Sequence, residues 1–158
     1  MSKLSPTQRT LRAMKINAKS KRNDAEKATV HYAREIHKCV VTRRAVRARF
    51  QSVDFFGSDI VGKKADGSHV YIQTTAGQYS AVTARRRKLE KIPWHPTDTV
   101  ELLQLVQTID PANARRKLWF FRVHYYERTS KYHRTWQTKE EAVPVPREWF
   151  KAWSENPK

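Results

Sequence analysis

Cysteine, glycine and acidic side chains are all scarce in this chain. Its 158 residues hold one cysteine, Cys39, which excludes an internal disulfide and any zinc site built on several thiolates. Only four glycines occur, too few for a loop that wraps a phosphate in successive backbone N–H groups. No long apolar run is available to cross a membrane, and no basic helix carries a broad apolar face for lying on one. The N-terminal MSKLSPTQRT lacks the apolar centre of a secretory leader, so the expected location is the cytoplasm where the chain is made. Acidic residues number 15 against 32 Lys and Arg, a formal net charge of +17. That excess is larger than solubility requires and points to a polyanionic partner, nucleic acid first. Residues 1–50 hold 14 Lys or Arg and 3 acidic residues, so positive charge is concentrated in the first third of the chain.

With 39% hydrophobic and 11% aromatic residues, the length suits one domain with a substantial core. The expected layout over residues 1–158 is a basic helical region at 1–50, a core at 53–127 and a packing segment at 139–158. Ser5-Pro6-Thr7-Gln8 has the capping pattern of a helix start, predicting a helix to about Lys19. A second helix is expected from Ala25 to Lys38, then a strand over Cys39–Phe50. Ala81–Ile92 is expected to be helical, with Ser80 as its cap and Pro93 as its stop. Thr99–Ile109 reads as a central strand covered on both faces. Leu118–Glu127 alternates as a further strand, after a turn at Asp110–Asn113 and a basic loop at Arg115, Arg116 and Lys117. Val143–Pro146 reads as an extended spacer before a short aromatic helix over Arg147–Trp153. These elements predict an α/β domain: a central mixed sheet with helices on its faces.

Between them lies the most informative stretch, DFFGSDIVGKKADGSHVYIQTTAGQYSAVTARRRKLE, residues 54–90. Ser58–Lys64 and His69–Thr75 are rich in branched and aromatic residues, and Ala65-Asp66-Gly67-Ser68 between them carries the Asp-Gly signal of a hairpin. Asp59 at the first strand and Gln73 and Thr75 at the end of the second stand where packing alone does not call for polar groups. Register decides whether they meet. A two-residue turn sets Asp59 opposite Thr74 and separates it from Gln73. A three-residue loop, with Gly67 in the left-handed conformation, sets Lys64 opposite Ser68 and Asp59 opposite Gln73. The second register is the one expected.

At these residues the stretch resembles the core of the PD-(D/E)XK nuclease superfamily, above all its Holliday junction resolvase-like and phage-encoded branches. There a hairpin carries an Asp, then a Glu-x-Lys or Gln-x-Lys motif before a helix. Asp59 fits the metal-binding Asp and Gln73 the Gln variant, while Thr75 departs from the pattern by standing where Lys is usual. The resemblance covers roughly Val53–Lys91. It implies a restriction endonuclease-like fold and Mg²⁺- or Mn²⁺-dependent cleavage of DNA, with Asp59, Gln73, Thr75 and an upstream Glu35 as catalytic candidates. Asp59, Gln73, the Thr74 carbonyl and Asp54 are the implied metal ligands. The partner implied is DNA, branched DNA included. A homodimer is compatible with it, and the location would be a bacterial host's cytoplasm if the chain is phage-encoded.

Each of these residues has a plainer role beside it. Glu35 has a surface salt bridge as its commoner fate, and Asp54 before Phe55-Phe56-Gly57 has a turn. Arg43, Arg44, Arg47, Arg49, Lys63, Lys64, Arg85, Arg86, Arg87 and Lys88 are the candidates for contact with the nucleic-acid backbone. Arg85 or Lys88 is also placed to supply the basic group that Thr75 lacks. The six histidines show no helical metal-binding pair, and core or surface roles are expected for them. Two other readings remain open: a non-catalytic nucleic-acid-binding protein on the same fold, and a basic RNA-binding protein whose Tyr126 and Tyr132 stack bases.

Overall fold

A helix over residues 24–35, α1, opens the part of the chain that the computed structural model describes, which is residues 24–47, 52–53, 58–76 and 79–153. The helix expected at Ser5–Lys19 lies outside these residues. Ala25, Ala28, Thr29, Tyr32 and Ala33 are all buried, at the i, i+3, i+4, i+7, i+8 spacing that makes one face of a helix apolar. The helix stops three residues before its expected end at Lys38, which itself takes a left-handed φ of 59° as the chain turns toward the sheet.

Among the described residues nine strands follow: β1 (Val41–Arg44), β2 (Val46–Arg47), β3 (Ser52–Val53), β4 (Ile60–Lys63), β5 (His69–Thr75), β6 (Thr99–Asp110), β7 (Asn113–Arg128), β8 (Arg134–Thr138) and β9 (Val143–Pro144). Helix α2 (Tyr79–Glu90) joins β5 to β6. The fold is a single α/β fold on a mixed seven-stranded sheet. Its order is β1-β4-β5-β6-β7-β8, with β9 also on β7, and β2 and β3 form a separate pair. Among the described residues only β5 and β6 run parallel, because the helix between them carries the chain back to the start of the next strand. Among the described residues no helix is long and apolar enough to cross a membrane.

Helices α1 and α2 cover opposite faces. Alternation along the strands puts Ile60, Val70, Ile72, Leu103, Leu105, Phe121 and Val123 on the α1 face, and these form one buried cluster with the α1 stripe. Burying each of the larger ones contributes about 1.5–3 kcal/mol. Val145 and Trp149 close this cluster from the C-terminal segment, where a 3-10 turn spans Arg147–Phe150 in place of the longer helix expected. Val143 and Pro144, expected as a spacer, pair with Phe121 and Phe120 instead. Gly62 is required by close approach: a Cβ there would stand 2.5 Å from the Cys39 Sγ.

Strand β7 begins at Asn113, so Arg115, Arg116 and Lys117 lie in a strand and not in a loop. Their side chains are exposed, and what holds them extended is backbone pairing with the far end of β6, such as Ile109 opposite Lys117. Helix α2 starts at Tyr79, which puts Ser80 inside it and not at its cap. Strand β8, RTWQT, was not anticipated, since its alternation is short and largely polar.

Candidate functional site

The β4–β5 hairpin has the three-residue-loop register. Lys63 pairs with His69 and Ile60 with Ile72, and Lys64 N–H donates to the Ser68 carbonyl at 2.9 Å. Gly67 has φ +90°, a conformation that a side chain disfavours, and the Asp66 carboxylate accepts from Ser68 N–H and Oγ across the loop. Hydrogen bonds to Ser68 hold the Asp66 carboxyl below its ordinary pKa. Asp59 sits one residue before β4, where the ladder becomes irregular: its N–H donates at 3.0 Å to the carbonyl of Ile72, which is already the partner of Ile60, and its carbonyl accepts from Ala45 N–H at 2.7 Å.

That register brings Asp59 and Gln73 together. Gln73 Nε2 donates to Asp59 Oδ2 at 3.0 Å, and Thr74 N–H donates to the same oxygen at 3.0 Å. Asp59, Gln73, Thr74 and Thr75 are all buried. Behind them the Thr74 hydroxyl meets the Thr29 hydroxyl of α1 at 2.7 Å. Thr29 spends its single hydrogen on the Ala25 carbonyl at 2.7 Å, so Thr74 is the donor of that pair. Thr29 thus ties α1 to the site through Thr74. Glu35 lies six residues further, roughly 9 Å along the axis, and accepts from Trp149 Nε1 at 3.1 Å. The structure therefore sets Glu35 against the C-terminal segment and apart from the Asp59 cluster.

A polar seam continues from Gln73 across the face beneath α2. The register partner of Gln73 on β6 is Leu102, whose partner on β7 is His124, whose partner on β8 is Thr138. Thr75 pairs with Gln104, and Gln104 Oε1 accepts from His124 Nε2 at 3.4 Å. Arg86 descends from α2 and donates to His124 Nδ1 at 2.5 Å and to the Thr138 hydroxyl at 3.3 Å. Accepting at Nδ1 fixes the proton on Nε2. Burial, and then the charges of Arg86 and Arg122, push the His124 pKa down to about 4, so the ring is neutral at physiological pH.

Sequence reasoning missed this seam. Its signals were a Gln inside the apolar run LLQLV and a His on an alternating strand. The inward cation of α2 is Arg86, whereas Arg85 is half-buried and Arg87 and Lys88 are exposed.

The remaining basic candidates scatter. Arg43 is exposed on the same face as Asp59, while Arg44 faces the other way and pairs with Glu26 at 2.6 Å. Lys63 is four residues along the strand from Asp59, roughly 13 Å away, and Lys64 lies beyond it. Arg47 lies in β2; Arg49 and Asp54 fall outside the described residues. Among the described residues no three His, Cys, Asp or Glu side chains gather at one point. The groups that do converge are the Asp59 carboxylate, the Gln73 amide and the Thr74 backbone N–H. Comparisons with protein-family models, with curated proteins and with solved structures give no match.

Proposed function

We propose that this chain is a metal-dependent DNA endonuclease of the PD-(D/E)XK kind, similar to Holliday junction resolvases, on a restriction endonuclease-like version of the α/β fold. The observation that carries the reading is the cross-strand pair of Asp59 and Gln73, buried on one face of a hairpin that leads directly into a basic helix. Oxygen donors of this hardness suit Mg²⁺ or Mn²⁺: the Asp59 carboxylate, the Gln73 amide oxygen once the amide is turned, and the Thr74 carbonyl. Such an ion, when bound, supplies an activated water and charge stabilisation for phosphodiester hydrolysis. The residues around it give Asp59 Oδ2 two N–H donors and anchor Thr74 to α1 through Thr29. Exposed cations and the net charge of +17 provide sequence-independent contact with DNA phosphates.

One observation favours a second reading, a nucleic-acid-binding protein without catalysis. The two N–H donors on Asp59 Oδ2 satisfy that carboxylate within the protein, and Gln73 and Thr75 are neutral where Glu and Lys would carry charge. Cleavage assays on linear, flapped and four-way DNA, with Mg²⁺, Mn²⁺ or EDTA, separate the two. The nuclease reading expects metal-dependent products that Asp59→Ala reduces by about a thousandfold or more, about 4 kcal/mol of transition-state stabilisation, while binding in EDTA stays close to wild type. A wild type that binds DNA but cuts none of the three with either metal establishes the second reading.

A further inference from the structure

A groove of about 370 Å³ opens where the connection from α2 to β6 meets the turn between β7 and β8. Its size falls in the range of small-ligand sites, about 300–1,000 Å³. Trp94, Tyr126 and Tyr132 line it, with Arg128 and Lys131 beside them. The groove is on the same face of the sheet as Asp59 and Gln73. Tyr126 is two residues beyond His124 on β7, and His124 lies two strands across from Gln73. Those steps put Tyr126 on the order of 12 Å from Gln73.

Most of the walls are fixed in advance. Trp94 Nε1 donates to the Leu89 carbonyl at 2.8 Å, and its ring packs 4.9 Å from that of Tyr71. Tyr126 stacks on Trp136 at 4.7 Å, and the Arg86 guanidinium lies over the same Trp136 ring. Arg134 donates to the carbonyls of Tyr126, His95 and Asp98, which clamps the β7–β8 turn against the α2–β6 connection. Tyr132 differs: it is 83% exposed, with Lys131 Nζ 5.5 Å from its ring centre. An aromatic left in water beside rigid rings and cations presents a flat apolar face and a positive edge together, which is the chemistry of a nucleotide.

We propose that this groove takes one nucleotide of single-stranded DNA, its base stacked on Tyr132 and Trp94 and its phosphate neutralised by Lys131 and Arg128. The proposal rests on the reading that DNA is the partner. It assigns the strand recognised near the candidate site as one whose bases are unpaired, as at a flap or an opened junction. A closed duplex keeps its base faces stacked and out of reach.

The test is fluorescence anisotropy of the full chain in EDTA with four labelled probes: a short oligothymidylate, an abasic strand of equal length, an oligouridylate and a blunt duplex. Tyr132→Ala is expected to weaken oligothymidylate binding by about 5- to 100-fold, the range for losing one stacked base. Tyr132→Phe, which keeps the ring, is expected to restore it, and duplex affinity is expected to stay unchanged in both. The abasic strand should bind wild type as weakly as oligothymidylate binds Tyr132→Ala. Unchanged oligothymidylate affinity in Tyr132→Ala, an equal loss on duplex, or full affinity for the abasic strand overturns the groove. Tighter binding of oligouridylate than of oligothymidylate overturns the DNA assignment. Because EDTA removes cleavage from the readout, a chain that passes here and cuts nothing loses only the nuclease reading, and one that cuts but fails here loses only the groove.

Discussion

Asp59 and Glu101 are both carboxylates buried against the same sheet, 4% and 2% exposed, yet they are held by different means. Asp59 takes its donors from the neighbouring strand, an amide and a backbone N–H. Glu101, on the α1 face, takes a phenol from Tyr32 at 2.9 Å and an imidazole from His37 at 2.5 Å. The Glu101 set joins helix, loop and central strand through side chains alone, packed edge-on with Tyr32 between His37 and Phe121. Burial first, and then the Glu101 charge, raise the Tyr32 pKa, so the phenol keeps its proton and remains a donor. An arrangement so enclosed locks α1 to β6. The Asp59 set sits at the end of the strand that leads into α2, and its amide donor, Gln73 Nε2, would have to turn over to present oxygen.

The largest effect on stability should come from Glu101. Glu101→Leu leaves the buried Tyr32 hydroxyl and the half-buried His37 Nε2 without their acceptor, and is expected to lower unfolding free energy in urea by about 3–5 kcal/mol. Glu101→Gln retains an acceptor oxygen and should cost distinctly less. Equal losses for the two would mean that charge, and not hydrogen bonding, is what the cluster needs.

Gln73→Glu probes the other carboxylate. It replaces the N–H that faces Asp59 Oδ2 at 3.0 Å with a second acidic oxygen, so without metal it should destabilise the protein by about 2–4 kcal/mol at neutral pH. Crowding raises the folded pKa of the pair. The loss is therefore present above that raised value and is relieved as pH falls through it and the two carboxyls share a proton. Mg²⁺ should relieve it as well, raising the Tm of Gln73→Glu by more than that of wild type. A variant that Mg²⁺ leaves unstable marks Gln73 as a hydrogen-bonding residue only.

Why one cluster was legible in the sequence and the other was not follows from where the partners stand. Asp59 and Gln73 are 14 residues apart, and a loop length plus one left-handed glycine sets them opposite each other. The partners of Glu101 are 64 and 69 residues away and meet it only after α1 has packed on the sheet. In TVELLQLVQTI the residue looks like a polar interruption of an apolar strand. Glu35 shows the same limit. Its helical position was foreseen, but its contact with Trp149 depends on the path of the C-terminal segment. Strand β7 was read from its alternating aromatic half, whereas its basic half is a strand through backbone pairing that leaves no side-chain pattern.

His124, in the same seam as Gln73, adds a pH dependence. Its folded pKa of about 4 lies below the unfolded value near 6.5, so the unfolded chain binds the extra proton in that window. Its contribution is whole above pH 6.5 and is lost as pH falls toward 4, on the order of 2–3 kcal/mol. His124→Gln, which cannot take the proton, should flatten the difference between urea unfolding at pH 7 and at pH 4.5 by that amount. An undiminished slope in the variant assigns the acid sensitivity to other groups.

The smallest effect separates the two donors on Glu101. Tyr32→Phe keeps the ring and its packing and deletes one hydrogen bond to a buried carboxylate, which His37 still holds. The expected loss is about 1–2 kcal/mol, less than for Glu101→Leu because one donor remains. His37→Ala measured alone and with Tyr32→Phe completes a double-mutant cycle. Since both donors reach the same Oε1, the second deletion should cost more than the first, leaving the carboxylate buried with neither of these partners. Additive losses would show that each donor acts independently and that the Glu101 cluster does not work as one lock between α1 and β6.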